Sequence, residues 1–138
     1  MKISTKTRYG MRLMIDVARN QQDGRVALKD VAARQGISKK YLEQVAAPLV
    51  NAHLLLVTRG PLGGYRLSRD AHDITLADIV SASEDGLELL TCTIDVGACE
   101  RANDCASRRI WGGLQDAIYQ YLADQSLADV AYGSAPTH

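Results

Sequence analysis

Cys92, Cys99 and Cys105 fall within fourteen residues and are the only cysteines of the chain. Thiols this close together in a reducing compartment more often bind metal or undergo redox chemistry than form structural disulfides. Their odd number also leaves one over from any pairing. A second group suits different chemistry: Lys39, Lys40, Glu43, Gln44 and Arg59. The two lysines suit phosphates. Gln44 can pair with an adenine edge, Glu43 can accept from cytosine, and the Arg59 guanidinium suits a minor groove. His53 and His72 lie far from the cysteines in sequence, and neither is expected to be a ligand.

The charge distribution separates the two groups. Residues 1–70 hold 13 Lys/Arg against 5 Asp/Glu, and residues 71–138 hold 3 against 11, so a net charge of zero hides halves of +8 and −8. A split of this size points to a polyanion meeting the first half only. No apolar run approaches the ~20 residues that span a bilayer. The first twenty residues read as an amphipathic helix, interrupted by Arg8, Arg12, Asp16 and Arg19, rather than as a signal peptide. A cytoplasmic location without membrane contact is expected.

The elements that must position these groups are legible in outline. Tyr9, Leu13 and Val17 repeat every four residues in a helix from Ser4 or Thr5 to Arg19. A short helix from Leu28 to Gln35 stops at Gly36, and Ser38 caps the next. That helix turns Tyr41, Leu42, Val45 and Leu49 inward, with Pro48 expected to kink or shorten it. Two short helices joined at a glycine, with Val31, Ile37, Leu42 and Val45 between them, form a helix-turn-helix whose second helix can enter a major groove. Leu55–Arg59 and Tyr65–Ser68 read as strands joined through Gly60-Pro-Leu-Gly-Gly64, which makes the unit winged.

Thr75 to Asp78 and Ser126 to Asp129 are capping boxes. Ser83 to Asp104 has no sustained period. From Ala106 a long helix carries Ile110, Leu114, Ile118, Tyr121 and Leu122 as an apolar stripe, and Trp111 is assigned to packing. The fold class is mainly α with a small β-hairpin wing. The expected division is a DNA-binding unit over 1–82, a cysteine loop over 83–105, a long helix and short last helix over 106–132, and a disordered tail over 133–138. The candidate DNA-binding set is Ser38, Lys39, Lys40, Tyr41, Glu43 and Gln44 with Arg59, Gly60, Gly63 and Gly64.

The segments Arg34-Gln-Gly-Ile-Ser-Lys-Lys-Tyr-Leu-Glu-Gln44 and Arg59-Gly-Pro-Leu-Gly-Gly-Tyr65 resemble the winged-helix iron–sulfur regulators of the Rrf family. The similarity runs from Met1 to about Val130 and is greatest to the regulators of iron–sulfur cluster assembly. It implies a homodimer on double-stranded DNA, paired through the long helices. It also implies base contacts from Glu43 and Gln44, Arg59 in the minor groove, and an iron–sulfur cluster on Cys92, Cys99 and Cys105. A 2Fe–2S form is favoured over 4Fe–4S.

Two positions depart from the pattern. The assembly regulators place a histidine three residues after the last cysteine, and this chain has Arg108. The nitric-oxide sensors use an acidic side chain near position 8 of the partner, and this chain has Arg8. A guanidinium stays protonated and does not ligate iron. The Cys92–Cys99 spacing is also one residue longer than in those relatives. A cluster-free thiol switch is therefore the alternative. An enzyme would need a base beside the nucleophile, and no such constellation is present; an electron carrier would leave the basic half without a purpose.

Overall fold

The computed structural model describes residues 3–83 and 106–133. Helix α1 spans Thr5–Asn20 and begins where the Ser4 hydroxyl accepts the Thr7 N–H at 3.1 Å. Its face of Leu13, Met14, Val17 and Ala18 is fully buried, which makes α1 the centre of the core. Gly10 lies on the same face, and a Cβ there would stand 2.9 Å from the Ser83 hydroxyl, so a glycine lets α1 approach the helix Leu76–Ser83.

Helix α2, Leu28–Gln35, closes on Gly36 in the left-handed conformation at φ 65°. Helix α3, Lys39–Asn51, starts at Ser38, whose hydroxyl accepts the Tyr41 N–H at 3.1 Å. The expected shortening at Pro48 does not occur, because α3 runs on to Asn51. Leu42, Val45, Ala46 and Leu49 are all buried. Burial of each larger side chain stabilises by about 1.5–3 kcal/mol, and together they outweigh the ~3 kcal/mol of a helical proline.

Strands β1, Leu55–Thr58, and β2, Gly64–Leu67, pair antiparallel with Leu55 opposite Leu67 and Thr58 opposite Gly64. Both strands end one residue earlier than the sequence suggests. Thr58 takes the last pairing position, which leaves Arg59 in the connection. Tyr65 also exchanges backbone bonds of 2.8 Å in each direction with Val26, a third line of pairing that anchors the wing to the segment before α2.

Helix α4, Leu76–Ser83, is opened by the expected capping box: Thr75 Oγ1 accepts the Asp78 N–H, and an Asp78 carboxylate oxygen accepts the Thr75 N–H, each at 3.0 Å. Helix α5 spans Ala106–Ala123, and α6, Leu127–Ala131, starts at the Ser126–Asp129 box. Leu127, Ala128 and Ala131 join the same core as α1. Arg19 Nε donates to the Ala131 carbonyl at 2.8 Å, and the Tyr132 hydroxyl donates to that of Ala18 at 2.7 Å. No described helix is long and apolar enough to cross a membrane.

Candidate nucleic-acid interface

Lys39, Lys40, Glu43 and Gln44 are all exposed along the first turns of α3, on the side opposite its buried residues. Between this helix and the wing lies a concavity of about 400 Å³. Its walls include Lys29, Lys39 and Glu43 on one side and Arg59, Gly60, Gly63, Gly64 and Tyr65 on the other. Six of the ten expected DNA-binding residues therefore share one groove. Lys40 and Gln44 lie on α3 outside that lining. Ser38 caps α3 through its hydroxyl, and Tyr41 is half-buried with its ring edge-on to Tyr9, centroids 5.6 Å apart.

The wing tip is a β-turn from Gly60 to Gly63, closed by the Gly63 N–H donating to the Gly60 carbonyl at 3.0 Å, and Pro61 at its second position suits such a turn. A Cβ on Gly63 would stand 2.0 Å from the Thr58 carbonyl oxygen, so no other residue fits there. Tyr65, on the groove wall, has its phenol pKa pushed up by burial and then by the Glu43 carboxylate, with Arg59 opposing. The phenol therefore stays a neutral hydroxyl. Neither Lys29 nor Tyr65 stood out in the sequence, since a lone lysine and a strand tyrosine carry no pattern.

A polar network behind the helix-turn-helix also escaped the sequence reading. Asp16, 3% exposed, accepts from Arg34 Nη2 at 2.6 Å, Arg34 Nε at 3.0 Å, Gln35 Nε2 at 3.0 Å and Asn20 Nδ2 at 3.3 Å. Burial alone would raise its pKa, but the hydrogen bonds from Arg34, Gln35 and Asn20 and the Arg34 charge together hold it below the ordinary carboxylate value. In sequence Asp16 and Arg12 read as solvated charges on an amphipathic helix. Apart from Asn20, four residues on from Asp16 in the same helix, their hydrogen-bond partners lie about one helix further along the chain, where no local spacing points.

Cys92, Cys99 and Cys105 lie outside the described residues. Among the described residues no three His, Cys, Asp or Glu side chains are grouped to hold a metal. Arg108 is half-exposed in the first turn of α5, and Arg8 is exposed on α1. His53 follows α3 with φ 61°, and His72 sits in the turn Ala71–Asp73 with Nδ1 2.6 Å from Asp70. Helix α5 has no buried residue, and Ile110 is 63% exposed, Leu114 43% and Trp111 39%. Trp111 therefore stands outside the core formed by the described residues.

A family model, Rrf2, described as an iron-dependent transcriptional regulator, matches residues 3–133. The protein rrf2 of Nitratidesulfovibrio vulgaris is 39% identical over 130 residues, covering 94% of this chain and 87% of its own. The transcriptional regulator IscR of Vibrio campbellii is 36% identical over 130 residues, or 94% of this chain and 77% of its own. The solved structure of CymR, the global cysteine regulator of B. subtilis, superposes with a TM-score of 0.79 at 35% identity over 95% of this chain and 96% of that one.

Proposed function

The chain belongs to the Rrf2 family of winged-helix transcriptional regulators, non-enzymatic DNA-binding proteins, and from that premise we propose a homodimer whose grip on DNA is set by the cysteine segment. The observation that carries the DNA-reading part is the groove between α3 and the wing, which gathers Lys39, Glu43 and Arg59. Lys39 and Lys40 hold phosphates, Glu43 and Gln44 read base edges, Tyr41 sets the first turn, and Arg59 enters the minor groove. The exposed part of the α5 stripe, Ile110, Leu114 and Tyr121, supports pairing with a second copy, since apolar surface on so much of one helix needs cover.

For the cysteine segment, the iron-dependent family description and the similarity to IscR support an iron–sulfur cluster on Cys92, Cys99 and Cys105. Three thiolates fit such a cluster in chemistry and fall one ligand short of the usual four. Arg8 and Arg108 cannot supply the fourth. The fourth site is then open or exchangeable, and candidates to fill it include Asp95, Glu100, Asp104, a carboxylate of the partner subunit or a small molecule. When bound, a cluster of this kind supplies a centre sensitive to iron, oxygen or nitric oxide. The second reading is a metal-free thiol switch, favoured by the two arginines at the positions of a fourth ligand.

Two measurements test this. Selection from a random duplex library should enrich a two-half-site sequence, Lys39→Ala should weaken binding to all duplexes alike, and Glu43→Ala should broaden the enriched set. A Glu43→Ala variant that loses affinity with unchanged base preference refutes the reading role. Anaerobically purified protein should be coloured and contain iron and sulfide, with the colour lost in each single cysteine variant. Colourless protein whose DNA affinity follows oxidant and reductant reversibly establishes the thiol switch instead.

A further inference from the structure

Arg12 leaves α1 exposed to solvent yet contacts the α2 side of the turn that joins α2 to α3 directly, and reaches the α3 side through Tyr9. Its Nε donates to Gln35 Oε1 and its Nη2 to the Gln35 carbonyl, both at 2.9 Å. Gln35 is the last residue of α2, so this pair also satisfies a helix-end carbonyl. The same guanidinium lies over the Tyr9 ring, 5.2 Å from its centroid. Tyr9 in turn meets Tyr41, in the first turn of α3, edge-to-face at an interplanar angle of 86°. Gln35 is held from its other side by Asp16. One planar cation, with Tyr9, thus ties the end of α2 to the start of α3.

The apolar interior fixes how deeply α3 packs but resists rotation of its first turn poorly, because Ser38, Lys39 and Lys40 are all exposed there. Base reading tolerates little rotation. Hydrogen bonds to base edges need heavy-atom distances of about 2.7–3.2 Å, whereas phosphate attraction falls off slowly with distance.

We infer that Arg12 is a positioning residue for sequence recognition: through Gln35 and the Tyr9–Tyr41 pair it fixes the orientation of the reading turn without itself meeting DNA. This rests on the winged-helix reading above. A lysine is a poor replacement, since an ammonium lacks the rigid planar fork that meets both Gln35 acceptors at once and cannot stack flat on Tyr9.

The test compares the full-length protein on the duplex enriched by wild type and on a scrambled duplex of equal length, over a range of salt. Arg12→Ala should bind the enriched duplex about tenfold less tightly, the order of one lost hydrogen-bonded contact, with little change on the scrambled one. Its salt slope should match wild type, whereas loss of a phosphate contact lowers the slope by about 1. Arg12→Lys should behave like Arg12→Ala, and Tyr9→Phe like wild type. The Arg12→Ala/Tyr9→Ala double variant should be little worse than either single one, because both act through one chain of contacts. Equal losses on both duplexes with a shallower slope, or full rescue by lysine, overturn the inference and make Arg12 a plain charge contact. A wild type that enriches no sequence overturns the proposed function itself, and this inference with it.

Discussion

Helices α1 and α5 are close in length, sixteen residues against eighteen, and both carry apolar side chains at helical spacing. In α1 seven residues are buried, among them Leu13, Met14 and Val17 at 0% exposure. In α5 none is buried, and Ile110, Leu114, Tyr119 and Tyr121 all stand at 43% exposure or more. The same periodicity therefore has two meanings. The stripe on α1 is completed by α3, α4 and α6 of its own chain. On α5 only the far end of the stripe meets its own chain, where Leu122 packs against the core, while Ile110, Leu114 and Tyr121 stay exposed among the described residues, as the proposed pairing of two copies requires.

The contrast can be broken at either end. Leu13→Ala should cost about 2–5 kcal/mol of folding stability, as a cavity in a closed core does, read from urea unfolding. The protein that remains folded should self-associate like wild type. Leu114→Glu should keep a native far-ultraviolet spectrum but sediment as a monomer. Its binding to a two-half-site duplex should fall by about 100-fold, the scale of lost bivalency. A Leu114→Glu protein that is still a dimer removes α5 from the interface.

A smaller effect sharpens the comparison from the polar side of α1. Asp16 titrates below its unfolded value of about 3.9, because the bonds from Arg34, Gln35 and Asn20 and the charge of Arg34 outweigh the effect of burial. Its contribution to stability is therefore complete above that value and is lost as pH falls through the folded pKa. Asp16→Asn should be less stable than wild type at pH 7, and the gap should narrow below about pH 4, checked by unfolding midpoints across that range. A gap that is constant with pH would mean the carboxylate charge does not hold α1 to α2.

The parts of the fold that were legible in the sequence are those with local causes. Ser38, Gly36, the Thr75–Asp78 box and the Ser126–Asp129 box each act within four residues of themselves, and each stands where its spacing placed it. The hairpin was legible as a pair of strands but displaced by one residue, since pairing of Thr58 with Gly64 is decided across the turn and not within either strand. Of the two effects expected at Pro48, a kink or a shortening, the shortening is absent because a local rule met a buried face. What stayed hidden depends on distance along the chain: the Val26–Tyr65 bridge, the Asp16–Arg34 clasp and the Arg12–Gln35 pair join residues far apart in sequence. The groove was half legible. Its charged members are conspicuous by type and place, whereas Lys29 and Tyr65 become part of it only through the packing of the wing.

The two faces of α3 also bear on how such a protein diverges. Leu42, Val45, Ala46 and Leu49 hold the helix in place from below, while Lys39, Lys40, Glu43 and Gln44 stand clear of the core. Exposed substitutions of that kind usually change stability by no more than about 0.5 kcal/mol. A duplicated copy of this chain can thus drift at the upper four positions while its folding is left untouched. Under the proposed base-reading role of these side chains, new regulatory targets lie a few nucleotide changes away, and each intermediate along the route is still a well-folded protein.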